Sequence, residues 1–335
     1  MKSGTTFLSR LLASHPAVFM CPVKEPCYFV DQRTLRRVWC ARWRDGHWKS
    51  LERYLSLFGQ AGEAAYVAEA STFYSQVPLF EGVAERILAL SPEARFIYIM
   101  RDPIERTISH YWHVVRWWGE RRDILTAIRL EPRYQDVSHY ARQLKEYLRH
   151  VDARRIYTFT LESLAAQPRE QFRALCSWLG IDSSFDPTKA AGDLNETPAV
   201  LEQRRGLGLL HRLRDSPTYS RVSLLVPRAL RGLGHRLAER SMRPSDVPVS
   251  DVARYLRSRQ QEQTEELSEL LGRDFPEWKT LYAEAVRAPA EFASRRRAIQ
   301  LIAGTGDQPI VHSRKAQPVD PSVGCFRLNG DLRKP

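Results

Sequence analysis

The chain lacks any apolar run long enough to cross a bilayer, and its start has no charged segment leading into an apolar signal core. Cysteine is scarce: Cys21, Cys27, Cys40, Cys176 and Cys325 are irregularly spaced and form no Cys-x-x-Cys pair. That spacing suggests neither a zinc site nor a disulfide framework, and an odd, unpatterned set fits a reducing compartment. No internal repeat is visible. No dense basic tract with interleaved aromatics occurs, which argues against a nucleic-acid partner. The Walker pattern GxxxxGK[ST] is missing, and no acidic residue stands after a strand as a convincing magnesium ligand. What remains is a globular protein without a membrane span in this chain, with the cytoplasm as its default location.

With 335 residues, 43% of them hydrophobic, the chain can bury the core of one large α/β domain with helical additions. Lys and Arg number 51 against 39 Asp and Glu, a formal charge of +12. The excess favours an anionic partner. Because much of it is Arg scattered along helices, a charged small molecule fits better than a polymer.

Apolar spacing predicts helices at Thr5–Ala13, Leu51–Phe58, Val77–Leu90, Pro103–Trp118, Ser138–His150 and Glu170–Leu179, with a long one at Val252–Leu271. Strands are predicted at Val18–Cys21, Tyr66–Ala70, Phe96–Met100 and Ile156–Thr160. The unalternating Phe-Ile-Tyr-Ile-Met run marks a strand covered on both faces. Strands alternating with helices indicate a doubly wound parallel sheet. Ser183–Asn195 reads as loop and Val200–Ala238 as helical. From about Ala288 there is no periodicity. The expected division is a domain over residues 1–285 and a disordered tail over 286–335.

Two segments carry chemistry. Lys2-Ser3-Gly4-Thr5-Thr6 stands directly before a helix, where backbone N–H groups, the helix dipole and an ammonium would converge on a phosphate. A plain turn with an N-cap is the structural alternative. Arg101 follows the Phe96–Met100 strand, where α/β sheets bind ligands, and Ser109 lies two turns into the next helix. Together they could grip a second phosphate, although an Arg101–Asp102 pair capping a helix would look the same.

Taken together, the two segments resemble the PAPS-dependent sulfotransferase family (PAPS is 3′-phosphoadenosine 5′-phosphosulfate). Its 5′-phosphosulfate loop has the form K-[ST]-G-T-T. Its 3′-phosphate motif is matched here by Arg101, Asp102, Pro103, Arg106, Ser109 and Tyr111. Leu12–Pro16, Lys24–Phe29 and Ala68–Thr72 look like the branch acting on carbohydrates, which includes heparan sulfate sulfotransferases, and its bacterial relatives. The resemblance implies a P-loop-like three-layer α/β fold with a central parallel sheet and a helical C-terminal part. It implies PAPS as donor, PAP as product, no required metal, and a carbohydrate or other small-molecule acceptor. Site residues carried over are Lys2, Ser3, Gly4, Thr5, Thr6, Arg101 and Ser109 for the donor, with Lys2 also catalytic. Glu25 is carried over as general base; an ion pair with Lys24 is its alternative role. Arg204, Arg205 and Gly206 match a late basic-glycine loop that closes over the nucleotide, or equally an exposed turn.

His15, His110 and His113 read as structural or packing residues rather than as a rival base. Trp112, Trp117 and Trp118 could stack on a sugar, but Tyr111, Val115 and Trp118 fall at core spacing. The family's apolar strand before the Lys-Ser-Gly-Thr-Thr loop has no counterpart, because Met1 immediately precedes Lys2. The first, central strand is therefore expected to be missing, and Met1 reads as an internal methionine of a longer protein. Ala70 stands where heparan-type enzymes often carry a basic residue, which weighs against a heparan-like acceptor. Competing functions are a truncated, non-catalytic paralogue that binds nucleotide or polyanion, and a magnesium-dependent P-loop kinase.

Overall fold

The computed structural model describes residues 2–39, 46, 49–186, 201–204, 239–242, 244, 247 and 249–283. Four short parallel strands form its centre: β1 (Val18–Met20), β2 (Tyr66–Ala68), β3 (Phe96–Met100) and β4 (Ile156–Thr160). β1 pairs with β2 in the register Val18↔Tyr66, and β3 with β4 in the register Phe96↔Ile156.

Side chains alternate between the two faces, as pleating requires. Ile99, Phe159, Tyr66 and Val18 pack with Leu8, Leu11 and Leu12 of α1 (Thr5–Ser14) and with Phe172 and Leu175 of a second helix, Pro168–Leu179. Met100, one residue along, faces the opposite cluster. That cluster is built by the helices Pro103–Trp118, Ile124–Leu130, Tyr140–Leu148 and Ser250–Leu271. Val67 joins a third group with Phe29, Tyr54 and Phe73. Helices thus cover both faces of the sheet, giving the expected three-layer α/β fold.

The two strand pairs do not join. Among the described residues, β2 and β3 each have one strand neighbour. Between them runs a cavity of about 190 Å³, lined by Ala68, Phe96, Ile97 and Ile99 together with Leu8 and Leu12 from α1. Among the described residues the sheet is therefore interrupted between β2 and β3.

Most predicted elements stand within two residues of expectation, and two need correction. The helix expected over Val77–Leu90 begins only at Val83, because Gly82 takes a left-handed conformation (φ 67°) and Pro78 offers no N–H to an earlier turn. The helical reading of Val200–Ala238 fails at its start: Leu201–Arg204 is a strand, antiparallel to Glu239–Met242, with Leu201 opposite Met242. Pairing overrides the helix preference of Leu, Glu, Gln and Arg. The rest of that segment up to Ala238, and the tail at 286–335, lie outside the described residues.

Residues 277–281 brace the carboxyl ends of β3 and β4. Leu281 N–H donates to Asp102 Oδ2 (3.0 Å), Thr280 Oγ1 to Glu105 Oε1 (2.9 Å), and Thr160 Oγ1 to Glu277 Oε1 (2.8 Å). Fully buried Trp278 stacks on Phe275 at 4.2 Å and tilts against Tyr140 at 5.7 Å.

Candidate active site

All four central strands end on one side, and the chain segments that follow them converge there on the start of α1. Gly4 is the N-cap of α1 at φ 82°, with no side chain capping the first turn. Its conformation disfavours any residue with a Cβ, and a Cβ built there would lie 2.5 Å from Leu161 Cδ1. The first-turn amides therefore point outward uncapped, as an anion site needs. Gly4→Ala should lose PAP binding by more than tenfold in calorimetry and cost about 2 kcal/mol of stability, from left-handed strain plus the clash. Binding and melting temperature equal to those of the unmodified chain would refute the cradle.

Around that turn stand several cations. Burial first, then the charges of Arg101, Lys24 and Arg116, hold the Lys2 ammonium below its ordinary proton affinity. Lys24 Nζ donates to Thr6 Oγ1, not to Glu25. Arg101, at the end of β3, has its backbone fixed by Tyr140: Arg101 N–H donates to Tyr140 Oη (3.2 Å), which in turn donates to Arg101 C=O (2.7 Å). Its guanidinium pairs with Glu105 at 2.9 Å, so the expected alternative of an Arg101–Asp102 pair is not what forms. Asp102 instead caps the following helix by accepting from Ile104 N–H at 3.0 Å. Ser109 is buried on that helix, and Ser3 is buried below the loop. Arg106, also in the motif, is wholly inside, donating to Ser138 Oγ and Tyr134 C=O; it is a structural residue.

Glu25 lies in the segment after β1, beside Lys24. Its Oε2 accepts from Thr72 N–H (2.7 Å) and Thr72 Oγ1 (3.2 Å). Burial pushes its carboxyl above the ordinary range, against the opposing pull of the Thr72 bonds and Lys24. The structure therefore brings together Lys2 to Thr6, Lys24, Glu25 and Arg101. Of the late loop, Arg204 ends the Leu201–Arg204 strand, while Arg205 and Gly206 lie outside the described residues.

His15 and His110 are packing residues as expected. His15 hydrogen-bonds Asp182 C=O at 2.9 Å, and His110 is buried against Tyr134. His113 differs. It is half-buried, and burial followed by the charges of Lys2 and Lys24 takes its imidazole down to about 4. It joins this cationic cluster with Arg116. The signal was spacing: Ser109, His113 and Arg116 recur at i, i+4 and i+7 on one helix face. Tyr111 and Val115 are core, as their spacing suggested, whereas Trp117 is 62% exposed.

The sulfotransferase family model matches residues 1–187. Over 117 residues the chain is 34% identical to the membrane-associated sulfotransferase kil1 of Dictyostelium discoideum. That match takes in 35% of this chain and only 22% of that protein, so the chain spans about a fifth of this relative's length. A sulfotransferase crystal structure from Alicyclobacillus acidocaldarius superposes with a TM-score of 0.55 at 22% identity, covering 83% of this chain and 95% of that one. At that identity the likeness speaks for the fold alone. No helix among the described residues is long and apolar enough to cross a membrane. Since the family match takes in more than half of its length, this chain belongs to the sulfotransferase family.

Proposed function

We propose that the chain transfers a sulfuryl group from PAPS to a hydroxyl or amine of a carbohydrate or other small-molecule acceptor, with Glu25 as general base. One observation carries this reading: a cluster of cations and an uncapped helix start face a buried carboxylate at the ligand end of a parallel sheet. We assign residues 1–285 to this function, since helices beyond the family match brace the Arg101 strand end.

The residues present fit an adenine nucleotide carrying phosphates at both ends. Lys2 and its neighbours repel one another until an anion lies among them. Gly4 admits no side chain that would block the amides. When bound, PAPS supplies an activated sulfuryl group on a phosphate leaving group. Lys2 and the amides of the Gly4–Thr6 turn would stabilise the charge that grows on that phosphate, with little reorganisation. Arg101 and Ser109 hold the 3′-phosphate end by charge-assisted hydrogen bonds. Glu25 takes the acceptor's proton, and burial raises its proton affinity above that of an ordinary glutamate. The ammonium of Lys2 occupies the role that a divalent ion fills in phosphoryl transfer.

Transfer of label from ³⁵S-PAPS to a panel of glycosides, phenols and amines tests the reading. Turnover in EDTA should stay within twofold of that in magnesium. Loss of more than tenfold in EDTA would favour a metal-dependent transferase instead.

A further inference from the structure

The segment that carries Glu25 is strained and is held by its neighbours. Glu25 and Cys27 both take positive φ, 56° and 58°, where the Cβ crowds the next carbonyl. Such conformations persist only where neighbours over-determine them. Several of the neighbours here come from residues 70–74. Glu25 N–H donates to Ala70 C=O (3.3 Å), Cys27 N–H to Ser71 Oγ (3.1 Å) and Phe29 N–H to Tyr74 Oη (3.4 Å). Thr72 grips the Glu25 carboxylate itself.

These anchors meet at one side chain. Glu69, just past the end of β2, accepts from Tyr54 Oη and Tyr74 Oη at Oε1, each at 2.8 Å, and from Ser71 Oγ at Oε2, at 2.9 Å. Tyr54 also stacks on Tyr28 of the strained segment, with ring centroids 4.3 Å apart. Glu69 therefore ties residues 71 and 74 directly, and the Glu25–Phe29 stretch through them. Core packing alone does not call for a carboxylate here, since burying one is costly unless its oxygens are used.

We infer that Glu69 is the positioning residue of the acceptor side: it holds residues 70–74 and, through them, the strained Glu25–Cys27 segment in the geometry a base needs. The inference rests on the reading of Glu25 as that base. Titration adds a second consequence. Withdrawal from water, reinforced by the charge of Glu25, pushes the Glu69 carboxyl up to about 7, against the pull of its three hydroxyl donors. The other titratable groups facing it are Tyr54, Tyr74, Tyr147 and Cys21. None of these is cationic.

The test uses the full chain labelled with ¹³C at the glutamate carboxyls, with Glu69→Gln, Glu69→Ala and Glu25→Gln for assignment and perturbation. In Glu69→Gln the resonance titrating near 7 should vanish, and Glu25 should titrate at lower pH once the neighbouring charge is gone. In Glu69→Ala the amides of Cys27 and Thr72 should exchange at least tenfold faster. PAP binding should stay within threefold, because Lys2 and Arg101 are held by other elements. Should the alanine variant not fold, Tyr54→Phe removes one of the three donors and should speed the same amides about threefold. Exchange and Glu25 titration unchanged in every folded variant would overturn the inference. Failure of the base reading has a different signature: Glu25→Gln would retain turnover while the Glu69 effects on exchange persisted.

Discussion

Lys2→Ala should weaken PAP binding about a hundredfold, and Arg101→Ala by a similar factor, with Glu25→Ala leaving it within threefold. Removing one partner of a desolvated charge pair costs about 3 kcal/mol, and each 1.4 kcal/mol is tenfold in affinity. Lys2 sits among Arg101, Lys24 and Arg116, so the free protein bears mutual repulsion that a bound anion relieves. Deleting Lys2 removes both the attraction and part of that repulsion, so the loss should be greatest at low salt. Arg101 leaves Glu105 to reach a phosphate, a partner exchange that partly offsets its gain. Calorimetry of the chain and the three variants reads the result. Equal binding in Lys2→Ala and Arg101→Ala would remove the donor site from the places assigned to it.

Glu25→Gln should lower kcat by 10²- to 10⁴-fold, about the contribution of a positioned general base. PAP binding should not follow. The pH profile gives the sharper signature. A base must be ionised to work, and burial holds the folded-state carboxyl of Glu25 above the ordinary glutamate value. Activity should therefore fall as pH drops through that raised value, beginning at higher pH than for a free glutamate. The acid limb should disappear in Glu25→Gln. Full turnover by this variant would return the role to another group, with His113 the first to try.

The sequence made the core of this molecule legible because its signals were local. The Phe96–Met100 run, the Gly4 turn and Pro103 at a helix start each follow from a few adjacent residues. Other features depend on distant partners. Leu201–Arg204 is a strand only because Glu239–Met242 pairs with it. The departure of Lys24 to Thr6, and of Arg101 to Glu105, is set by where the segments meet rather than by their spacing. Glu69 stood in plain view as one acidic residue at a strand end. Its significance came from Tyr54, fifteen positions earlier, and from the backbone of a loop forty residues away. His113 was readable, since it repeats the Ser109 face by one turn, but histidine between aromatics looks like packing until its cationic neighbours are placed.

The brace from the C-terminal helices has a thermodynamic corollary. Leu281 and Thr280 fasten to Asp102 and Glu105, the residues that flank and pair with Arg101, while Trp278 backs the tyrosine that holds the Arg101 backbone. Docking of residues 250–282 and occupancy of the Arg101 end therefore share one free-energy balance. By reciprocity, whatever strengthens one must strengthen the other by the same factor. If the donor binds there as proposed, the Ser250–Leu271 helix would gain leverage over donor affinity through these bonds. The helices over residues 250–282 would in that sense act as a handle on the end of β3.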